Sequence, residues 1–271
     1  MNKKKIFLIS AAAIVIFMAP AAAFAFEVKK GNNIYVGENE TVAGNLYAAG
    51  VNVIIDGSIT GDLFCAGQSV TINGEVSGDV FCAGSAIAIN GRVGGSIRVA
   101  ASELSINGQV ERNALAAASN ITLRDSGKIG WGFLGAAANF TAYGPIGRDL
   151  QFGGASLVIN NEVGGNVRFY GEMKGQKKTN APTLTLLPKA VVNGSLTYSD
   201  SIQTDIKDGA QVKGDTIKQA PKIKEFKKWG NKKQIVFWPL VISRMEPLSG
   251  TAIFFGSTPC ATARSPWTRS M

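Results

Sequence analysis

From Val42 to Val167, apolar residues recur at every second position, break at an Asn-Gly or Asp-Gly in the clearest units, and start again about every 17 residues. The stretch GDLFCAGQSVTINGEVSGDVFCAGSAIAINGRV, Gly61 to Val93, is one phrase written twice. Counted from the residue that opens each unit, the third position holds Leu46, Leu63, Val80 and Ile97, and the tenth Val53, Val70, Ile87 and Leu104. The twelfth holds Ile55, Ile72, Ile89 and Ile106, and the sixteenth Ile59, Val76, Val93 and Val110. Apolar residues two apart share one face of a strand, and the β-branched types that dominate here favour strands. Units open at Gly44, Gly61, Gly78, Gly95 and Arg112, then, after one-residue insertions in two units, at Gly130, Arg148 and Gly165.

Between the strands lie corners. Gly57, Gly74, Gly91 and Gly108 each follow an Asp or Asn, and Asn45, Asp62 and Asp79 follow the opening glycine. These are turn residues that supply positive φ or self-capping side chains. Each unit therefore reads as three short strands and three corners. At ~3.3 Å per residue a unit traces roughly 56 Å, a triangle with sides of about 18 Å. Stacked units lie about 4.8 Å apart, pair their backbones and line the interior with ladders of like side chains. One unit cannot bury its apolar face, so repetition creates the core. The expectation is an all-β chain built as a parallel β-helix of 17 to 18 residue coils.

Composition narrows the chemistry. The chain has 271 residues, 45% of them hydrophobic, enough for one large domain with appendages. It contains no histidine, which removes the commonest general base and metal ligand, and no cofactor is expected. Lys3, Lys4 and Lys5, the apolar run Ile6 to Met18 and the small residues of Ala23-Phe24-Ala25 read as a secretory signal helix over 1–25, cleaved after Ala25. That places the rest outside the cytoplasm, in the envelope or at a membrane. Of the net charge of +9, three belong to the signal and a net eight to residues 213–271, which leaves the body at −2.

The remaining organisation follows: a lead-in at 26–43 with a short strand at Ile34 to Val36, core repeats over 44–170, a loop insertion at 171–182 and weaker coils over 183–217. A basic linker at 218–234 carries Lys218, Lys222, Lys224, Lys227, Lys228, Lys232 and Lys233 beside Phe226 and Trp229. It is either a solvated linker or a contact for an anionic membrane surface; nucleic acid is not expected as a partner of an exported chain. The tail at 235–271 begins with IVFWPLVIS, is stopped by Arg244 and Glu246, and reads as a truncated or frameshifted membrane region.

The GDLxxAG…TINGxV unit at 17 to 18 residue spacing resembles the bactofilin, or polymer-forming cytoskeletal, family. The resemblance implies a right-handed β-helix that polymerises end to end into nucleotide-independent filaments, a scaffold tied to membranes and envelope shape. The signal sequence sets this chain apart from the cytoplasmic members. Physics points the same way, because the end coils carry unpaired edges and the sequence offers no obvious cap.

Other features invite sharper chemistry. Cys65 and Cys82 share an inward position in successive coils, within disulfide range in an exported chain, and are expected as stacked thiols packed like small core side chains. Asp62 and Asp79 also stack, but the calcium-binding nonapeptide is absent, and solvated corner acids account for them. Glycoside hydrolysis needs paired carboxylates on one face, whereas Glu75 and Glu162 are separated in their column by Arg92 and Gln109. The expected function is a non-enzymatic, self-associating scaffold. The alternative is an exported solenoid that binds a surface polysaccharide or protein, with Tyr47, Phe64 and Phe81 as a lateral strip.

Overall fold

The computed structural model describes residues 26–171 and 181–219. Among them every paired strand is parallel to its neighbours and no helix is present, and the coils stack into a β-solenoid of about 11 turns. The expected signal helix, most of the loop insertion and nearly all of the basic tail lie outside the described residues.

Each regular coil consists of one long strand and one two-residue strand. Asn45–Ile55, Leu63–Ile72, Val80–Ile89 and Ile97–Ile106 are the long strands of successive coils. Their buried positions change parity midway: Leu46 and Ala48 point inward, then Val53 and Ile55. Such a flip is a corner, and the pairing skips a residue there, at Val51 opposite Gln68. The long strand thus supplies two sides of the coil, and the short strand, such as Ser58–Ile59 or Glu75–Val76, supplies the third. Register follows the sequence period, Leu46 on Leu63 on Val80 on Ile97, and all sixteen ladder positions named above are buried.

The corner glycines are needed for a different reason from the one their Asn-Gly context implies. Among the described residues, positive φ falls at Gly31, Gly44 and Gly209, not at Gly57, Gly74, Gly91 or Gly108. A Cβ on Gly74 would overlap the carbonyl oxygen of Gly57, and one on Gly91 that of Gly74. The backbone of each coil passes so close to the next at this corner that no side chain fits.

Two boundaries also shift. Residues 26–43 are a full coil: Phe26–Val36 pairs along its length with Asn45–Ile55, and Thr41–Val42 with Ser58–Ile59. The inward positions of its first side are Glu27 and Lys29, so hydrophobic alternation could not reveal it. The two single-residue insertions are one insertion of two. Leu123 still pairs with Ile106, while Lys128 pairs with Gln109, so the extra residues sit in the corner Arg124 to Gly127. That corner closes on itself through the Gly127 N–H to the Arg124 carbonyl at 2.9 Å, and the core columns continue undisturbed.

Candidate functional site

Four features of the solenoid could carry function: its corners, its cross-link, its lateral surface and its two ends.

At the corners, acidic and amide side chains are already engaged. Asn45 Oδ1 accepts the backbone N–H of Asp62, Asp62 Oδ1 that of Asp79, and Asp79 Oδ1 that of Ser96, each at 2.8 Å. Each side chain thus fastens the start of the following coil. Burial pushes the Asp79 carboxyl up, but the Ser96 N–H and the Arg98 guanidinium, 2.8 Å from Oδ2, outweigh it and hold the group below the usual carboxylate range. A second ladder runs up the Asx-Gly corner, where the amides of Asn73, Asn90 and Asn107 each donate at 2.6 Å to the residue one coil earlier, beginning with Asp56. Arg92 bridges Glu75 at 2.7 Å and Glu111 at 3.0 Å across three coils. Among the described residues no group of three or more Cys, Asp or Glu is placed to hold a metal ion.

Cys65 and Cys82 face inward in register with Cα atoms 4.5 Å apart. They are joined as a disulfide, which corrects the expected stacked thiols. In-register parallel strands bring two inward cysteines within the separation a disulfide spans, so the repeat itself sets up the bond.

Laterally, Tyr47, Phe64 and Phe81 stack face to face, with ring centroids 4.7 and 4.8 Å apart. Phe26 meets Tyr47 edge-on at 6.0 Å, and Arg98 lies 4.8 Å over Phe81. The ring faces are therefore covered by their neighbours, and only edges reach solvent. Sugar rings stack on aromatic faces, so this strip is poorly arranged for carbohydrate. Further along, Arg112 and Arg148 sandwich the half-exposed Trp131 at 5.7 and 4.6 Å, and Leu115 and Leu134 stand exposed nearby.

The ends differ from one another. At the N-terminal end Lys29 forms ion pairs with Glu40 and, at 3.5 Å, with Glu27. The hydrogen bond to Glu40 raises the Lys29 pKa, and the Lys29 and Gly37 donors lower that of Glu40. This pair joins the first side of the coil to the corner that opens the third, and Ile34, Val36 and Val42 are buried. The cluster is a polar lid over the interior, while the backbone edge of Phe26–Val36 beside it has no partner strand among the described residues. At the C-terminal end, Gln203–Ile206 and Thr216–Gln219 are exposed along their whole length, with Ile206 48% and Ile217 38% exposed. Lys218 occupies the inward column there, its Nζ 5.9 Å from the Tyr198 ring. Among the described residues no strand pairs with the outer edge of Phe26–Val36 or of these last strands.

Sequence patterning passed over Glu27, Lys29 and Glu40 because they occupy core columns or a corner with charge, and it assigned Lys218 to the basic linker, whereas Lys218 belongs to the strand Thr216–Gln219. A 17-residue frame carried back from Leu46 lands on Lys29 and misses Glu27, because this first side registers at a spacing of 19, Glu27 on Leu46 and Lys29 on Ala48.

Fold and site together define a β-solenoid with two chemically distinct ends. Comparison with protein-family models, curated proteins and solved structures finds no match for this chain.

Proposed function

We propose that this protein is an exported, non-enzymatic scaffold whose solenoid is right-handed and assembles end to end at the cell envelope, the role that the bactofilin resemblance implies. The observation that carries the reading is the C-terminal coil. Its strands Gln203–Ile206 and Thr216–Gln219 continue the registers of the sheet beneath them yet remain exposed, and an exposed, in-register parallel edge is a template for another strand. Repetition of one contact between unlike surfaces generates an open filament. The engagement of corner carboxylates by backbone N–H groups, and of Glu75 and Glu111 by Arg92, favours structural over catalytic roles for the acids.

The test is negative-stain electron microscopy of the full chain over a concentration series, paired with sedimentation velocity. Filaments a few nanometres wide that lengthen with concentration are expected. Monomers at every concentration would overturn the reading and leave the lateral patch around Leu115, Trp131 and Leu134, a binding surface for a protein partner, as the stronger alternative.

A further inference from the structure

The first side of the solenoid presents an apolar sheet face unlike its other two sides. Tyr47, Phe64, Phe81, Arg98, Leu115 and Leu134 stand in register along one outward column. Ala49, Ala66, Ala83, Ala100, Ala117 and Ala136 stand along the next, and all six are exposed, as are Tyr47, Leu115 and Leu134. The second side instead turns out Asn52, Glu103 and Asn120, and the third Glu75, Arg92 and Gln109. From Tyr47 to Leu134 the only charge in the two apolar columns is Arg98, which Asp79 neutralises at 2.8 Å. The columns make a ridge and a shelf, about 6.6 Å apart along the strand. A groove of about 710 Å³ runs beside Leu115 and Leu134 over Ala83, Ala100 and Ala117.

We propose that a second copy of this chain covers this face, the two solenoids lying parallel and side by side about a two-fold axis that runs along them between the two columns. This lateral contact is independent of joining at the ends.

Such an axis reverses the strands but keeps each coil opposite its counterpart. The ridge of either copy then lies on the shelf of the other, Phe64 over Ala66, Leu115 over Ala117 and Leu134 over Ala136, and every contact is made twice. Large side chains opposite small ones let the facing sheets close without voids. At the C-terminal end of the face the same axis sets Arg168 against Tyr170, a guanidinium beside an exposed ring. At the N-terminal rim Lys30 lies over Val28, its stem on the apolar residue and its ammonium in water. An axis across the rods would make them antiparallel and set ridge on ridge, with Arg98 over Arg98 at the centre and facing alanines held apart, a repulsive and poorly packed arrangement. At ~4.8 Å per coil the column from Val28 to Arg168 is about 38 Å long, and a side is about 18 Å wide. The two faces together remove roughly 1,400 Å² from water, within the ~1,200–2,000 Å² of stable interfaces.

Charge placed on this face in the full chain tests the pairing without touching the core. Ala100→Glu buries two unpaired carboxylates in the pair and should raise its dissociation constant by about tenfold or more. Thr122→Glu, on the polar second side, should leave it unchanged. Sedimentation velocity measures the pairing, negative-stain electron microscopy the rod width, and circular dichroism establishes that each variant is folded. Leu134→Glu and Leu134→Lys should each pair poorly alone and pair well when mixed, because parallel rods set the two substituted positions on facing coils. In antiparallel rods those positions lie about 19 Å apart, beyond the ~8 Å screening length of physiological salt, and Phe64→Lys would rescue Leu134→Glu instead. Rescue by Phe64→Lys, or by neither mixture, overturns the proposal. So do equal weakening by Ala100→Glu and Thr122→Glu, and wild-type rods of single width at every concentration. Joining at the ends is read separately as rod length. Long rods of single width overturn the lateral pair alone, whereas short rods of double width overturn the end-to-end reading alone.

Discussion

The coils over residues 45–112 and those over residues 132–171 fill the same three-sided interior in two ways. The first group repeats itself: each column holds one residue type or a close relative, such as Ile55, Ile72, Ile89 and Ile106, and every side chain rests on its own likeness. The second group interlocks. Phe133, Phe140, Phe152 and Phe169 pack ring on ring, with centroids 4.3, 5.5 and 5.7 Å apart, and small residues make room for them. Gly135 lies against the Phe133 ring and Gly154 against the Phe152 ring, where an added Cβ would collide at 2.7 and 2.6 Å. A ladder of similar residues tolerates exchange within a column, while an interlocked set places its volume in a few large pieces.

That difference should be measurable as stability. Phe140→Ala removes a fully buried ring from the middle of the stack and should cost about 3–5 kcal/mol, whereas Ile72→Val in the ladder should cost about 0.5–1.5 kcal/mol. Denaturant unfolding of the full chain, followed by far-ultraviolet circular dichroism, gives both values. Equal costs would mean that the stack collapses around the missing ring and that the two regions do not differ in how they hold their volume.

The second contrast is covalent, because Cys65–Cys82 lies among the aliphatic coils while the phenylalanine coils contain no cysteine. Closing a loop of 17 residues stabilises by about 3 kcal/mol, chiefly by restricting the unfolded chain. Reduction should therefore lower the unfolding midpoint of the wild type and leave a Cys65→Ala/Cys82→Ala variant unmoved. Amide exchange sharpens the comparison. In a solenoid each coil contacts only its neighbours, so reduction should lower protection first over residues 45–112 and least over 132–171. Loss spread evenly along the chain would show that the coils unfold as one unit.

The aliphatic coils were the legible part of the sequence. Their columns repeat at 17 residues, so position alone assigned Leu46, Val70 or Ile106 to the interior. The phenylalanine coils obscured the same frame, since Ala114, Phe133 and Ala142 stand where an aliphatic ladder was sought and their volumes balance only in three dimensions. The two-residue corner insertion before Lys128 moved the frame as well. Alternation located the corners correctly but assigned the wrong cause to Gly74 and Gly91, whose constraint comes from the neighbouring coil rather than their own φ. The N-terminal lid was hidden for a related reason. A hydrophobic pattern cannot register a core column that ends in Glu27 and Lys29, and the ion pair with Glu40 forms only once the coil closes.

The smallest contrast lies in the corner ladder, which runs through Asn45, Asp62, Asp79, Ser96 and Asn113, breaks at the side-chain-free Gly132 where the phenylalanine coils begin, and resumes at Asp149 and Asn166. Within it Asp79 carries the added charge pair with Arg98. Because its pKa is lowered in the folded state, the stabilisation from its ionised form is present above the ordinary Asp value and lost as pH falls through the lower folded value. The relevant window therefore lies below about pH 4. Asp79→Asn keeps an oxygen to accept the Ser96 N–H, as Asn45 does for Asp62, but loses the attraction to Arg98. With both side chains of the pair partly exposed, solvent screening holds the expected deficit at neutral pH to a fraction of a kcal/mol, on the order of 0.5. Thermal midpoints of wild type and variant from pH 7 to pH 2 should differ by a constant amount until the window is reached and then converge, since the protonated carboxyl of Asp79 and the amide that replaces it are both neutral. A gap that persists undiminished at pH 2 would assign the effect to hydrogen-bond geometry at the corner rather than to charge.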